Sequence, residues 1–429
     1  MRTLEDLDID GRRVLLRADL NVPLQESANG SGVRVADDTR IRAALPTIAQ
    51  LRAHRARIVL VSHLGRPHAR EPGLSMRPVA ERLRELSGAP VALAPGVVGP
   101  QVRALAEGLA PAAILLLENV RYEPGETRND PALAAALAEL ADVYVDDAFG
   151  SAHRAHASTE GVAHLLPAAA GLLMEREVRT LTEILERPAR PLIAVLGGAK
   201  VHDKLALLER FLALADRVLI GGAMSFPLLA AQGHSVGSSL CPPEDVAAAR
   251  AILAGGVRHT LPDTPHHTPR TGRPPELNTP RTGRPPELNT PRTGRPPELP
   301  EDLVIATALA TTAQRRELDG LEVPPGWMGL DIGPRTASRY AGAIAAAGTV
   351  FWNGPMGAFE CEPFAHGTRT LARAVADMPG VSVVGGGETA EALRQSGLHE
   401  RITHLSTGGG ATLALLEGLT LPGVAALEP

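Results

Sequence analysis

Lysine is nearly absent: of 43 basic residues in the 429-residue chain, only Lys200 and Lys204 are lysines. A genome rich in Arg and Ala codons accounts for the surplus of arginine. It does not account for both lysines falling in one short stretch, GGAKVHDK (197–204). An ammonium is a compact, mobile point charge and a guanidinium a rigid fork, so this stretch is expected to need the ammonium. Cysteine is scarce too. Cys241 and Cys361 are far apart with no CxxC spacing, which excludes a disulfide framework and a zinc site of that type and fits a reducing cytoplasm. No apolar run reaches transmembrane length, and the N-terminus MRTLEDLDIDGRRV carries acids where a signal peptide would be apolar. The net charge of −5 is too modest for a protein built to coat nucleic acid or anionic membrane, so neither is expected as a partner.

Familiar phosphate-binding and catalytic signatures are also missing. Lys200 follows Ala199 and Lys204 follows Asp203, so neither sits in a Walker A loop, which needs Gly before the lysine. Gly385, Gly387 and Ala390 loosely match a dinucleotide fingerprint, but the next strand ends in Leu405-Ser406-Thr407, with no acid for a ribose diol. GxSxG and HExxH do not occur.

What is present is a chain long enough for two domains, with apolar runs alternating with helical stretches. The runs are 14–22, 57–62, 113–120, 142–149, 191–198, 217–222, 302–306, 349–355, 381–387 and 402–410. Such alternation predicts an α/β protein with parallel sheets covered by helices, whose ligands bind where strands end. The strand ends are of two kinds. Early ones carry Arg17, Asp19 and Asn21, His63 and Arg66, Asn119 and Arg121, Asp146 and Asp147, a receptor for a small, multiply anionic molecule. Later ones carry glycines at 197–198, 221–222, 354, 385–387 and 408–410, as a nucleotide site needs where bare backbone meets phosphate. Residues 171–188 read as one amphipathic linker helix closed by Pro188. TPRTGRPPEL occurs three times, at 268–277, 279–288 and 290–299. Rich in proline and nearly without apolar groups, it cannot offset its ordering entropy and is expected to be a disordered insertion at about 264–299.

RADLNVP (17–23), TRI (39–41), SHLGRP (62–67), ENVRY (118–122), DDAFGSAHRAHAS (146–158), GGAKVHDK (197–204), GGAM (221–224), GWMGLDIGPRT (326–336), WNGPMGAFE (352–360), GGGET (385–389) and STGGGA (406–411) appear in this order. Together, from about residue 4 to 427, they resemble the phosphoglycerate kinase family. The resemblance implies two Rossmann-like domains, each a parallel sheet flanked by helices, joined by a helical hinge across a cleft. Expected bounds are 1–170 for triose phosphate, 171–188 for the linker, 189–405 for nucleotide, and 406–429 returning to the first domain.

The same likeness implies roles. Arg17, Arg40, His63, Leu64, Gly65, Arg66, Arg121 and Arg154 look like the family's patch for 3-phosphoglycerate or 1,3-bisphosphoglycerate, whose oxyanions suit arginine forks. Asp19 and Asn21 resemble the pair that orients the substrate. His153 and His156 fit packed scaffolding equally well. Lys200 and Lys204 match the family's two lysines, one following the moving phosphoryl group and one holding nucleotide phosphate. Arg40, Lys200 and Lys204 are the expected catalytic residues. Gly198, Lys204, Gly222, Asn353, Pro355, Gly357, Ala358, Glu360, Gly386, Gly387, Glu388 and Thr389 match the site for ATP or ADP, with Glu388 reaching Mg²⁺. Two lysines, several arginines, magnesium and no nucleophile suit phosphoryl transfer, which needs positioning and charge cancellation. Glu388 stands where the family usually has Asp, and Arg335 where it has Lys. An acyl kinase acting on another carboxylate would need a different first-half patch, and a descendant without turnover would have lost Lys200, Lys204 or Arg40. The resemblance favours a cytoplasmic monomer.

Overall fold

The computed structural model describes residues 1–26, 32–199, 204–254 and 296–428; Lys200 and most of the repeat lie outside them. Two compact units divide the described chain: 1–188 with 382–429, and 189–381. The second crossing falls at 381/382, where the sequence led us to expect 405/406.

In the first unit the strands are β1 (Arg13–Arg17), β2 (Leu24–Glu26), β3 (Val33–Val35), β4 (Arg57–Val61), β5 (Val91–Leu93), β6 (Ile114–Leu116), β7 (Val143–Asp146) and β8 (Ala168–Ala170). Six form a sheet in the order β5-β6-β4-β1-β7-β8, parallel throughout. The short pair β2–β3 is antiparallel. Val14, Leu15 and Leu16 of β1 are fully buried, as a central strand covered on both faces requires. The strands are shorter than the apolar runs. The run 14–22 leaves the sheet after Arg17, because the side chains that follow serve the loop: Asp19 Oδ1 accepts from Asn21 N at 3.1 Å.

The helix Leu172–Glu186 begins where burial and capping coincide. Asp147, just past β7, accepts from Leu173 N at 2.8 Å, occupying a donor that a helix N-terminus leaves without a partner. Its buried Glu177 accepts from Thr407 N at 2.7 Å and Thr407 Oγ1 at 2.9 Å, and lies 2.8 Å from His404 Nε2. These bonds tie the returning C-terminal segment to the helix within the first unit.

The second unit contains β9 (Leu192–Leu196), β10 (Arg217–Ile220), β11 (Leu303–Ala306), β12 (Arg315–Leu318), β13 (Met328–Ile332) and β14 (Thr349–Asn353). β10, β9 and β14 run parallel in that order, and Phe211 stacks on Phe351 of β14 at 4.9 Å. The run at 302–306 corrects the sequence reading: β11 is not parallel but pairs antiparallel with β12 and β13. The eight residues between β11 and β12 are too few for the crossover that a parallel pair needs. β15 (Val381–Gly385) starts at the boundary and pairs in parallel with β16 (His404–Leu405).

The end of the third repeat copy is ordered, unlike the expectation for 264–299. Glu298 forms a parallel bridge with Leu219, donating to Val218 O at 2.8 Å and accepting from Ile220 N at 2.9 Å. Its carboxylate meets Arg217 at 2.6 and 2.7 Å and Arg339 at 2.7 Å. Leu299 packs on the cluster of Phe226, Leu229, Leu303, Ile305 and Val323. The flanking sheet edge and two guanidiniums supply what the repeat alone lacks. Glu298→Ala is expected to cost about 1–2 kcal/mol, the scale of charge-assisted hydrogen bonds at a partly exposed site. Deleting 268–289 keeps this anchor and should change stability by no more than the ~0.6 kcal/mol that a doubling of loop length costs. Urea melts of both variants check this, and equal losses would contradict it.

Candidate active site

In the first unit the expected triose residues converge at the carboxyl ends of β1, β4, β6 and β7. His63, Leu64, Gly65 and Arg66 follow β4, Arg121 follows β6, and Arg154 follows β7. Asn119 holds the loops together. Its Oδ1 accepts from Leu64 N at 3.1 Å and Arg121 N at 3.2 Å, and its Nδ2 donates to Leu64 O at 2.7 Å and Leu74 O at 3.0 Å. Asn21 Oδ1 accepts from Gly65 N at 2.8 Å. Arg40, in the first turn of the helix Thr39–Ala53, donates through Nη1 to both oxygens of Asp19 at 2.9 Å while remaining 38% exposed.

A cavity of about 530 Å³ opens here, lined among others by Arg66, Arg121, Tyr122, Thr127, Arg154 and His156. Its lining sets Arg66, Arg121 and Arg154 against the single acid Glu123, a net positive wall. Burial, then repulsion from Arg17, Arg121, Arg40 and Arg154, holds the His63 imidazole well below its ordinary pKa. Burial, then Arg154 and Arg17, lowers that of Arg121, whose buried Nε has no acceptor among the described residues. Such a pocket accepts a compact polyanion.

Arg17, expected at the triose phosphate, turns inward. It is 1% exposed, with Nε donating to Ser158 Oγ at 2.9 Å, Nη1 to Ala18 O, and Nη2 lying 3.1 Å from His63 Nδ1. Ser158 in turn binds Glu126, a buried carboxylate that sequence reasoning missed. His153 Nε2 accepts from Arg154 Nε at 3.0 Å, and His156, which also lines the cavity, has Nδ1 3.5 Å from Glu126.

In the second unit, Gly198, Lys204, Gly222, Asn353 and Pro355 come together beyond β9, β10 and β14. Gly198 N donates to Pro355 O at 2.8 Å and Gly222 N to Met356 O at 2.9 Å. Lys204 Nζ donates to Gly197 O at 2.7 Å. Gly198 and Gly354 have φ of +87° and +97°, and a Cβ on Gly354 would lie 2.6 Å from Lys204 Nζ. Glycine is therefore what lets the ammonium reach this turn. Asn353 is buried, and its Nδ2 has no partner among the described residues, a donor fit for a ligand oxygen. Ala358 N bonds Leu330 O, Gly357 packs on Asp331, and Glu360 is exposed. Lys200 lies outside the described residues.

Gly386, Gly387, Glu388 and Thr389 fall in the first unit, at the start of the helix Gly387–Gln395. Gly387 shares a cavity of about 170 Å³ with Arg40, Thr39 and Thr407. Glu388 is exposed, and no group of three metal-binding side chains occurs among the described residues.

A family model described as phosphoglycerate kinase matches residues 4–263 and 290–419. The chain belongs to the phosphoglycerate kinase family. Curated phosphoglycerate kinases of Moorella thermoacetica and Rubrobacter xylanophilus are 46% and 47% identical over 426 and 427 residues, 99% of this chain and 98% of each relative. The solved phosphoglycerate kinase of Coxiella burnetii superposes with a TM-score of 0.80 at 36% identity, covering 99% of this chain and 98% of that one. That of Pyrococcus horikoshii gives 0.79 at 30%, covering 100% and 98%. The family match stops before the first two repeat copies and resumes at residue 290, where the third begins. The anchored copy is thus the one aligned with the phosphoglycerate kinase family.

Asn119 organises this site without being exposed to it. Asn119→Ala should cost about 2–3 kcal/mol, because buried Leu64 N and O and the part-buried Leu74 O lose partners. A urea melt checks this, and a loss under about 0.5 kcal/mol would mean that water replaces the side chain.

Proposed function

We propose that the chain catalyses reversible phosphoryl transfer between 1,3-bisphosphoglycerate and ADP, giving 3-phosphoglycerate and ATP. It is a phosphotransferase with a carboxyl group as acceptor, and the reaction belongs to glycolysis and gluconeogenesis. The observation that carries this reading is the cluster of guanidiniums around His63 at the sheet's carboxyl edge, in a chain of this family.

The geometry supports the following roles. Arg121, Arg66 and Arg154 would replace the hydration of the triose phosphate, and Asn21 and Asp19 would orient it. Arg40, steered by Asp19 yet partly exposed, would follow charge that develops on the moving phosphoryl group. Lys204, held at the glycine turn, would bind nucleotide phosphate, and Asn353 would donate to it. We assign the catalytic partner of Lys204 to Lys200 on the family motif alone. Magnesium normally keeps several waters and takes one or two carboxylates plus substrate phosphates. One exposed Glu388, with no acidic cage among the described residues, fits that mode; the ion would neutralise phosphate charge there. A cytoplasmic monomer suits a chain whose two cysteines are free and whose described helices are all too short or too polar to cross a membrane.

A coupled assay with 3-phosphoglycerate, ATP and magnesium tests this reading, and no turnover would refute it. Within it, Arg40→Met should lower kcat by roughly a hundredfold, the scale of a lost transition-state donor, while Arg121→Met acts mainly on the KM for 3-phosphoglycerate. Glu388→Gln should weaken Mg-ATP and leave the triose KM unchanged. An Arg40→Met enzyme with raised KM and normal kcat would make Arg40 an anchor only.

A further inference from the structure

His63 is nearly enclosed, at 5% exposure, and its two ring nitrogens are in different situations. Arg17 Nη2 lies 3.1 Å from Nδ1. A guanidinium has donors and no acceptor, so Nδ1 must be the acceptor and carries no proton. The remaining nitrogen, Nε2, has no hydrogen-bond partner among the described residues. The nearby charges are the cations of Arg121, Arg40 and Arg154, which oppose a second proton on the ring.

Arg17 can hold Nδ1 only if it is itself fixed, and a buried guanidinium needs a compensating charge. Both come from the far side. Ser158 Oγ donates to Glu126 Oε1 at 2.7 Å, which leaves its lone pair for Arg17 Nε at 2.9 Å. Ser158 N donates to Glu126 Oε2 at 3.0 Å. Arg17, Ser158 and Glu126 are all at or below 1% exposure. Burial pushes the Glu126 carboxyl up, but His156, Arg17 and Ser158 outweigh it, and its pKa lies below the ordinary value. The carboxylate is therefore charged, as the chain of bonds requires.

We infer that Glu126, Ser158 and Arg17 are positioning residues that fix His63 as its neutral Nε2–H tautomer, so that Nε2 donates a hydrogen bond to an anionic oxygen of the triose substrate. The tautomer follows from the hydrogen bonds alone; the identity of the acceptor rests on the function proposed above. Arg17 thereby acts through His63 and not by touching the phosphate. A donor without charge adds direction at a site where four guanidiniums already supply attraction.

Nitrogen-15 NMR of the ligand-free, full-length protein with labelled histidine reads the tautomer directly. The expected result is a pyridine-type Nδ1 and a pyrrole-type, proton-bearing Nε2 for His63 at neutral pH. A protonated Nδ1 would overturn the proposal without recourse to any variant. Saturation with 3-phosphoglycerate should then move the Nε2–H resonance. A correct tautomer with an unmoved Nε2–H would overturn the assignment of the acceptor and spare the tautomer. Ser158→Ala should mix the tautomers and raise the KM for 3-phosphoglycerate about three- to tenfold, the range of one directed hydrogen bond, with kcat and the KM for ATP unchanged. If Ser158→Ala keeps a single tautomer, or shifts both KM values alike, the relay from Glu126 to His63 does not exist.

Discussion

Like charges crowded at the carboxyl edge of one sheet are the constraint on which the first unit depends. Arg17, Arg40, Arg121 and Arg154 keep the imidazole of His63 from taking a second proton, and the repulsion of Arg121 by Arg154 and Arg17 is a standing cost in the ligand-free protein. The fold bears it by two means. Neutral amides, above all Asn119 and Asn21, fix the loops without adding charge. Carboxylates are placed behind the cations, buried Glu126 through Ser158 and part-buried Asp19 on Arg40. The face left toward the cavity remains positive, which is the state a polyanionic substrate relieves.

The second unit meets the opposite demand. Phosphate has to approach backbone closely, and the turns after β9, β10 and β14 do so by glycine and by carbonyl–amide bonds among themselves. Lys204 is brought to the same turn by its bond to Gly197 O. On the function proposed above, the first unit would meet anions with guanidinium forks and the second with bare peptide and an ammonium. That division would account for both lysines falling within 197–204, in a chain whose surplus of arginine follows from codon usage.

Much of this was legible in the sequence because an apolar run ending in a charged or glycine residue announces both a strand and its functional end. Arg121, His63 and Gly198 are singled out in that way and lie just past strand ends, whereas Asn353 comes from the family resemblance. The limits are physical. The run at 302–306 looks like any buried parallel strand, and only its short connection to β12 signals that this pairing is antiparallel. Glu298 and Leu299 are identical in type to their counterparts in the other copies, so nothing in the repeat marks the copy that the sheet edge captures. Arg17 reads as a substrate ligand by position, yet its side chain turns inward. Its partner Ser158 lies 141 residues away, and Glu126 reaches it only through that serine. Contacts of such separation leave no trace in local pattern.

Calorimetric titration of 3-phosphoglycerate into the full chain at increasing ionic strength tests the central claim most directly. If unbalanced guanidinium charge is what the substrate relieves, affinity should fall on the order of tenfold as ionic strength rises from roughly 0.01 to 0.15 M and the screening length shrinks from about 30 to about 8 Å. An affinity unaffected by salt would contradict the account.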